Sequence, residues 1–276
     1  MADSVSPVRS VVIDLDGVMW VGDDCIAGAG EAVNRLAAAG CNVVFVTNMS
    51  RLTVVTQQER LARCGVRPPT EVVTSAVAAA SLLAPGDRVM VCGGEGIAEA
   101  AESAGAVVAC YASDGPSAHD GGGAPAERAV DAVVVGMDPR FDYAACGRAM
   151  RAVRAGARLI GTNHDPTYPT PGGLEAGGGA ILAAVAAAAE VEPVLAGKPN
   201  DATVSCVRER LGSGPGMVIG DRPDSDGLLA EALGFDFALV LTGVTSHDDL
   251  PVSPTPALVA EDLAGVVDAV LGETAG

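Results

Sequence analysis

The sequence predicts an α/β fold of the doubly wound kind, a mostly parallel sheet with helices on both faces. Two observations lead there. Strand-like apolar runs alternate with helix-like segments along most of the 276 residues, and the polar residues that stand out follow directly after strands. Strands are expected at 10–14, 42–46, 88–92, 132–136, 158–161, 193–196, 217–220 and 237–241, where β-branched and apolar residues run four or five long. Between them, helical spacing covers about 29–39, 53–63, 75–83, 95–104, 143–154, 178–190, 201–211 and 226–233. Glycines such as Gly40, Gly105 and Gly234 stand where a left-handed C-terminal residue is wanted. The segment 112–128 is Gly-, Pro- and Ala-rich without periodicity and is expected to be a mobile surface loop. The tail after 251 reads as a Pro-punctuated loop and one closing helix.

Composition narrows the function. Apolar residues make up 49% of the chain and aromatics only 3%, so the core must be built mainly from Ala, Val and Leu. The net charge of −18, without a Lys/Arg cluster, argues against nucleic acid and against an anionic membrane surface. Such a chain binds a small phosphate ester only through a local device: a metal ion, a helix N-terminus or a few placed cations. Seven cysteines, scattered without close pairs, do not look like a disulfide framework or a zinc site. Cys41, Cys92, Cys110 and Cys206 are expected to serve as small core residues. The N-terminus lacks a signal-peptide apolar segment and no run reaches transmembrane length, so a reducing cytoplasm is expected.

In open α/β sheets, ligands bind at the carboxyl ends of strands, and four such ends carry candidate chemistry. VVIDLDGV (11–18) places Asp14 and Asp16 at a sheet rim, two apart and pointing the same way, with a glycine for the sharp exit. FVTNMS (45–50) offers the Thr47 hydroxyl and backbone N–H groups at a strand-to-helix junction, a phosphate cradle. AGKPN (196–200) carries Lys198, the single lysine in a chain whose other basic residues are all arginine. Lysine supplies a compact point charge where arginine supplies a planar fork. VIGDRPDSDG (218–227) puts Asp221 and Asp226 on one loop, hard oxygen ligands suited to Mg²⁺, although Asp224, Ser225 or Asp226 could serve only to cap the following helix.

The order and spacing of these four elements resemble the haloacid dehalogenase (HAD) superfamily. The stretches VVVGMDPRFDY (133–143) and GTNHDPTYPTPGG (161–173), with the Gly-rich entry to the helix at 177–190, resemble the large α/β cap of its NagD-like, p-nitrophenylphosphatase branch. The chain departs from that pattern at Met49 and Gly227, which touches no matching catalytic position. The resemblance implies a discontinuous Rossmann-like HAD core at 1–79 and 189–276 with a cap domain inserted at 80–188. It implies a Mg²⁺-dependent phosphatase in which Asp14 is the nucleophile and Asp16 the general acid/base. Thr47, Asn48 and Lys198 would bind phosphate, and Asp14, Asp16 through its backbone carbonyl, and Asp221 would hold the metal. Asp226 would orient Lys198 or a metal-bound water from behind the ligands, and Asn163, His164, Asp165 and Tyr168 on the cap would select the leaving group. The implied partner is a small phosphorylated metabolite, glycerol 3-phosphate or a related polyol or sugar phosphate, and a homodimer stays open. Rival readings are a phosphotransferase or mutase of the same superfamily, a non-catalytic metabolite-binding relative, and a phosphoacceptor signalling domain.

Overall fold

The computed structural model describes residues 8–114, 130–170, 173–211 and 214–272; most of the 112–128 segment lies outside them. In chain order the elements are β1 (Ser10–Asp14), β2 (Trp20–Val21), β3 (Asp24–Cys25), α1 (Ala29–Ala38), β4 (Asn42–Thr47), α2 (Val54–Arg63), β5 (Glu71–Thr74), α3 (Ser75–Ala80), β6 (Arg88–Cys92), α4 (Glu95–Ser103), β7 (Val107–Tyr111), β8 (Ala132–Val135), α5 (Tyr143–Arg154), β9 (Arg158–Gly161), β10 (Thr167–Thr170), β11 (Gly173–Ala176), α6 (Gly178–Ala189), β12 (Val194–Leu195), α7 (Asp201–Arg210), β13 (Gly216–Gly220), α8 (Leu228–Leu233), β14 (Asp236–Val240), β15 (Leu258–Ala260) and α9 (Leu263–Leu271). No described helix is long and apolar enough to cross a membrane.

The described chain forms two compact units. One comprises residues 1–47, 55–73 and 204–276; the other comprises 48–54 and 74–203, so Asn48 and Lys198 belong to the second. The first unit holds a six-stranded sheet ordered β15–β14–β13–β1–β4–β5. β1 runs parallel to both β4 and β13, which sets Asp14 beside Val46 and brings the ends of three strands to one rim. Val12, Val44, Val218 and Leu239 bury one sheet face against Val207 on α7 and Leu229 on α8. Near-continuous burial along the inner strands β1, β13 and β14 follows from covering both faces of a parallel sheet.

The second unit holds a parallel five-stranded sheet ordered β12–β9–β8–β6–β7. Alternation along β6 divides its core in two. Val89 and Val91 face one side and pack with Ile97, Ala100 and Ala101 of α4, whereas Met90 and Cys92 face the other with Ala145 and Ala149 of α5 and Val185 of α6. Small residues let these helices approach closely, which is how a chain so poor in aromatics fills its interior. Asp142 starts α5 by accepting a hydrogen bond from the Ala145 N–H at 2.7 Å.

Every strand expected from the sequence is present within a residue or two, and seven further strands were not foreseen: the hairpins β2–β3 and β10–β11, and strands β5, β7 and β15. The cysteine expectation is corrected. Cys25 and Cys64 form a disulfide across 39 residues of sequence, because β3 and the end of α2 meet in space. Cys92 and Cys206 are buried as expected, while Cys41 and Cys110 are only half-buried.

α1 packs close to this point. A Cβ on Gly30 would overlap the Cys64 carbonyl oxygen. Alanine favours a helix over glycine by about 1 kcal/mol, but overpacking against rigid backbone costs about 1–3 kcal/mol and should win. Gly30→Ala is therefore expected to lower the unfolding free energy by about 1–2 kcal/mol in urea denaturation; a stabilised variant would contradict this packing.

Candidate active site

Candidate functional side chains fall in two groups, one in each unit. In the first, β1 ends at Asp14, which is buried, and the chain turns sharply at Gly17 with φ +85. That glycine is required twice: L side chains rarely adopt this φ, and a Cβ there would collide with the Asp221 carboxylate. Asp16 is half-buried and held at both oxygens. The indole Nε1–H of Trp20 donates to Oδ1 at 3.0 Å, and the Thr47 hydroxyl donates to Oδ2 at 3.3 Å. β13 delivers Asp221, which is 1% exposed and accepts the Val244 N–H at Oδ2 (2.5 Å). The loop 242–245 closes over this point, with the Thr242 hydroxyl donating to the Gly17 carbonyl at 2.5 Å and no room for a Cβ on Gly243 beside Asp221.

After β13 the chain makes one π-helical turn, Pro223–Gly227, before α8. Turns of this kind often mark functional sites. This one buries Asp226 completely, and its Oδ2 accepts the Arg222 N–H at 3.1 Å. Carboxylate oxygens of Asp14, Asp221 and Asp226 lie within 4.8 Å of one another, all three buried. Asp226 thus stands in the same group as Asp14 and Asp221. Like charges buried this close repel strongly. A trio of hard oxygen donors suits a hard divalent cation such as Mg²⁺, so these residues fit one.

In the second unit, Asn48 is the hub. Its Oδ1 accepts the Lys198 backbone N–H at 2.9 Å, and its Nδ2 donates to Asp165 Oδ2 at 3.2 Å and to the Lys198 carbonyl at 3.5 Å. Its own carbonyl accepts from the Ser75 hydroxyl (2.7 Å) and from Asn163 Nδ2 (2.8 Å). Lys198 is 3% exposed, and the Lys198–Pro199 peptide is cis. A Cβ on Gly197 would overlap the Thr162 carbonyl and crowd Asn48 Oδ1, so only glycine lets this loop approach.

The four residues expected to choose the leaving group fall in different places. Asn163 is buried and spends its amide on Asn48 and on the Asp165 N–H (3.2 Å), fixing the loop. Asp165 is half-buried with its carboxylate turned to Asn48. His164 is exposed. Tyr168 pairs with Glu175 in β10–β11, and its side chain lies outside the described residues.

Sequence reasoning missed Trp20 and the 242–245 loop. The signals were present: the chain's single tryptophan stands four residues after Asp16, and Thr242-Gly243 directly follows the expected strand 237–241.

The haloacid dehalogenase-like hydrolase family matches residues 11–107, and the HAD-hydrolase-like family matches residues 195–266. The glycerol-3-phosphate phosphatase of Gallus gallus is 37% identical over 257 residues, covering 88% of this chain and 82% of that protein. The acid sugar phosphatase of Staphylococcus aureus is 33% identical over 254 residues, 90% of this chain and 92% of that one. The crystal structure of a glycerol phosphate phosphatase from Mycobacterium tuberculosis in complex with magnesium superposes with a TM-score of 0.78 at 31% identity, covering 94% of this chain and 76% of that one. Parallel sheets, carboxylate-bearing strand ends and these similarities agree: the chain belongs to the haloacid dehalogenase-like hydrolases and is a phosphatase.

Proposed function

We propose that this phosphatase hydrolyses a small polyol or sugar phosphate, glycerol 3-phosphate foremost, through an aspartyl-phosphate on Asp14. The observation that carries the reading is the Asp16 carboxylate held between Trp20 and Thr47, two residues beyond a buried Asp14 grouped with Asp221 and Asp226. Two of the relatives are phosphatases of glycerol phosphate and one of acid sugars, which supports the substrate class. Such a charged metabolite stays inside cells, and the reading puts the enzyme in the cytoplasm.

In the reaction, an Asp14 oxygen attacks phosphorus and the bond to the leaving oxygen breaks. Asp16 gives its proton to the departing alkoxide and then takes one from the water that attacks the aspartyl-phosphate, releasing phosphate and restoring Asp14. Positioning comes first, because two donors fix the Asp16 carboxylate before substrate arrives. Mg²⁺, held by the Asp14 carboxylate, the Asp16 carbonyl and Asp221 with Asp226 beside them, would neutralise the repulsion between a phosphate dianion and a carboxylate nucleophile. Lys198 and the Asn48 N–H bind the phosphoryl oxygens, the Thr47 hydroxyl turns its single proton from Asp16 to them when substrate arrives, and the Asn48 side chain sets the Lys198 backbone. Of the residues expected to select the leaving group, exposed His164 and half-buried Asp165 are the described ones with polar groups available to a substrate, while Asn163 acts as their support.

Asp14→Asn is nearly isosteric and removes the nucleophile together with one charge of the buried carboxylate group. Phosphate release should fall by roughly 10³-fold or more with the unfolding midpoint no lower than the parent's; activity within tenfold of the parent would exclude a covalent role. Turnover should require Mg²⁺, and Ca²⁺ should substitute poorly because it accepts more ligands at longer distances and could occupy both Asp14 oxygens. Full activity after exhaustive chelation would end the metal assignment. For Lys198→Arg, the wider guanidinium cannot occupy an ammonium-sized place, and a loss of about 10²-fold in kcat is expected although charge is kept. Near-normal kcat would take Lys198 out of the phosphate site.

A further inference from the structure

We propose that Cys25 and Cys64 are a thiol–disulfide exchange site whose oxidised state locks the hairpin that holds Asp16 in place. The inference rests on the proton-transfer role assigned to Asp16 above. Its starting point is Trp20, 1% exposed, whose indole N–H holds Asp16. Trp20 lies on β2, and its register partner on β3 is Cys25 itself. β2 and β3 have two residues each, and a hairpin that short does not hold its shape alone.

Helix α2 supplies what the hairpin lacks. Arg60 lays its guanidinium 4.2 Å from the centre of the Trp20 ring, donates to the Gly22 carbonyl at 2.6 Å and pairs with Asp23 at 3.8 Å. Four residues on, one turn along the same face, Cys64 is bonded to Cys25. One helix face therefore grips the hairpin at two points, a reversible cation–π contact and a covalent bond. Trp20 transmits both grips to Asp16.

The disulfide is also reachable. Cys25 is exposed and Cys64 half-buried. Burial pushes the Cys92 thiol up to about 12, and burial raises Cys41 and Cys146 as well, so these thiols are poor competitors in exchange. The co-reactant is a dithiol reductant. Its thiolate attacks the exposed Cys25 sulfur, the Cys25–Cys64 bond breaks, and Cys64 leaves as a thiolate that takes a proton. The second thiol of the reductant then attacks the mixed disulfide and frees Cys25. Two electrons and two protons pass to the protein, and the reductant becomes its own disulfide. After reduction the covalent grip is lost, and Arg60, the ladder pairs and the Ile26 N–H bond to the Met19 carbonyl hold the hairpin more loosely, so Trp20 no longer keeps Asp16 at one orientation. Phosphate binding does not pass through Trp20, so the effect belongs in kcat and not in KM.

The test compares the oxidised full-length protein with the same protein after dithiothreitol treatment, using p-nitrophenyl phosphate as substrate. Thiol titration in denaturant should count five free cysteines, then seven. Reduction should lower kcat about fivefold with KM changed less than twofold, and reoxidation should restore it. The single tryptophan makes intrinsic fluorescence a direct readout of the hairpin, and its emission should change in step with the thiol count. Trp20→Phe, which keeps the disulfide and loses the donor, should start about tenfold lower in kcat and show no further response to reductant. A reduced protein with seven thiols and unchanged kcat would overturn the proposal, as would a Trp20→Phe variant that still slows on reduction. Loss of the Asp16 reading is separate: an Asp16→Asn variant with parental kcat would remove that role even if reduction still altered Trp20 fluorescence.

Discussion

Three carboxylates buried within 4.8 Å of one another set the terms for the first unit. Like charges this close repel, yet the surrounding backbone is arranged to hold the oxygens together rather than disperse them. Backbone N–H groups of Val244 and Arg222 take one oxygen each from Asp221 and Asp226. Gly17 and Gly243 let the chain pass where a Cβ would strike Asp221. The parallel pairing of β4, β1 and β13 is what brings Asp14 and Asp221 to the same rim. A group of hard oxygen donors held this way fits a divalent cation.

The second unit solves a different problem with a single amide. Asn48 satisfies both faces of its side chain on the loops 163–165 and 197–198, and its carbonyl takes two further donors. Removing such a hub leaves several buried polar groups without partners at once, and each would cost about 1–3 kcal/mol. Lys198 is thereby held at its backbone. The same network explains why Asn163 sits inside the loop as its support, whereas His164 faces outward.

Much of this was legible in the sequence, and the reasons differ by element. Long apolar strands such as 10–14 and 88–92 announce themselves because both faces are buried. Asp14, Asp16, Asp221 and Lys198 stand out because they end such strands in a chain that otherwise avoids lysine. β2, β3 and β15 carry no periodicity because they are two or three residues long and owe their pairing to tertiary packing. The Cys25–Cys64 bond was hidden for the same reason, since only the hairpin and α2 together bring the two sulfurs into reach. The sequence offers Asp226 both as a carboxylate beside Asp221 and as a helix cap, and the π-helical turn sets it with Asp14 and Asp221.

The central claim is that phosphate passes through a covalent bond to Asp14, and acyl phosphates can be caught. Quenching the working enzyme with borohydride reduces an aspartyl-phosphate to homoserine, which peptide mass spectrometry locates by residue. The account requires homoserine at position 14, dependent on substrate and confined to that position. A working enzyme that yields no homoserine, or yields it elsewhere, would contradict it.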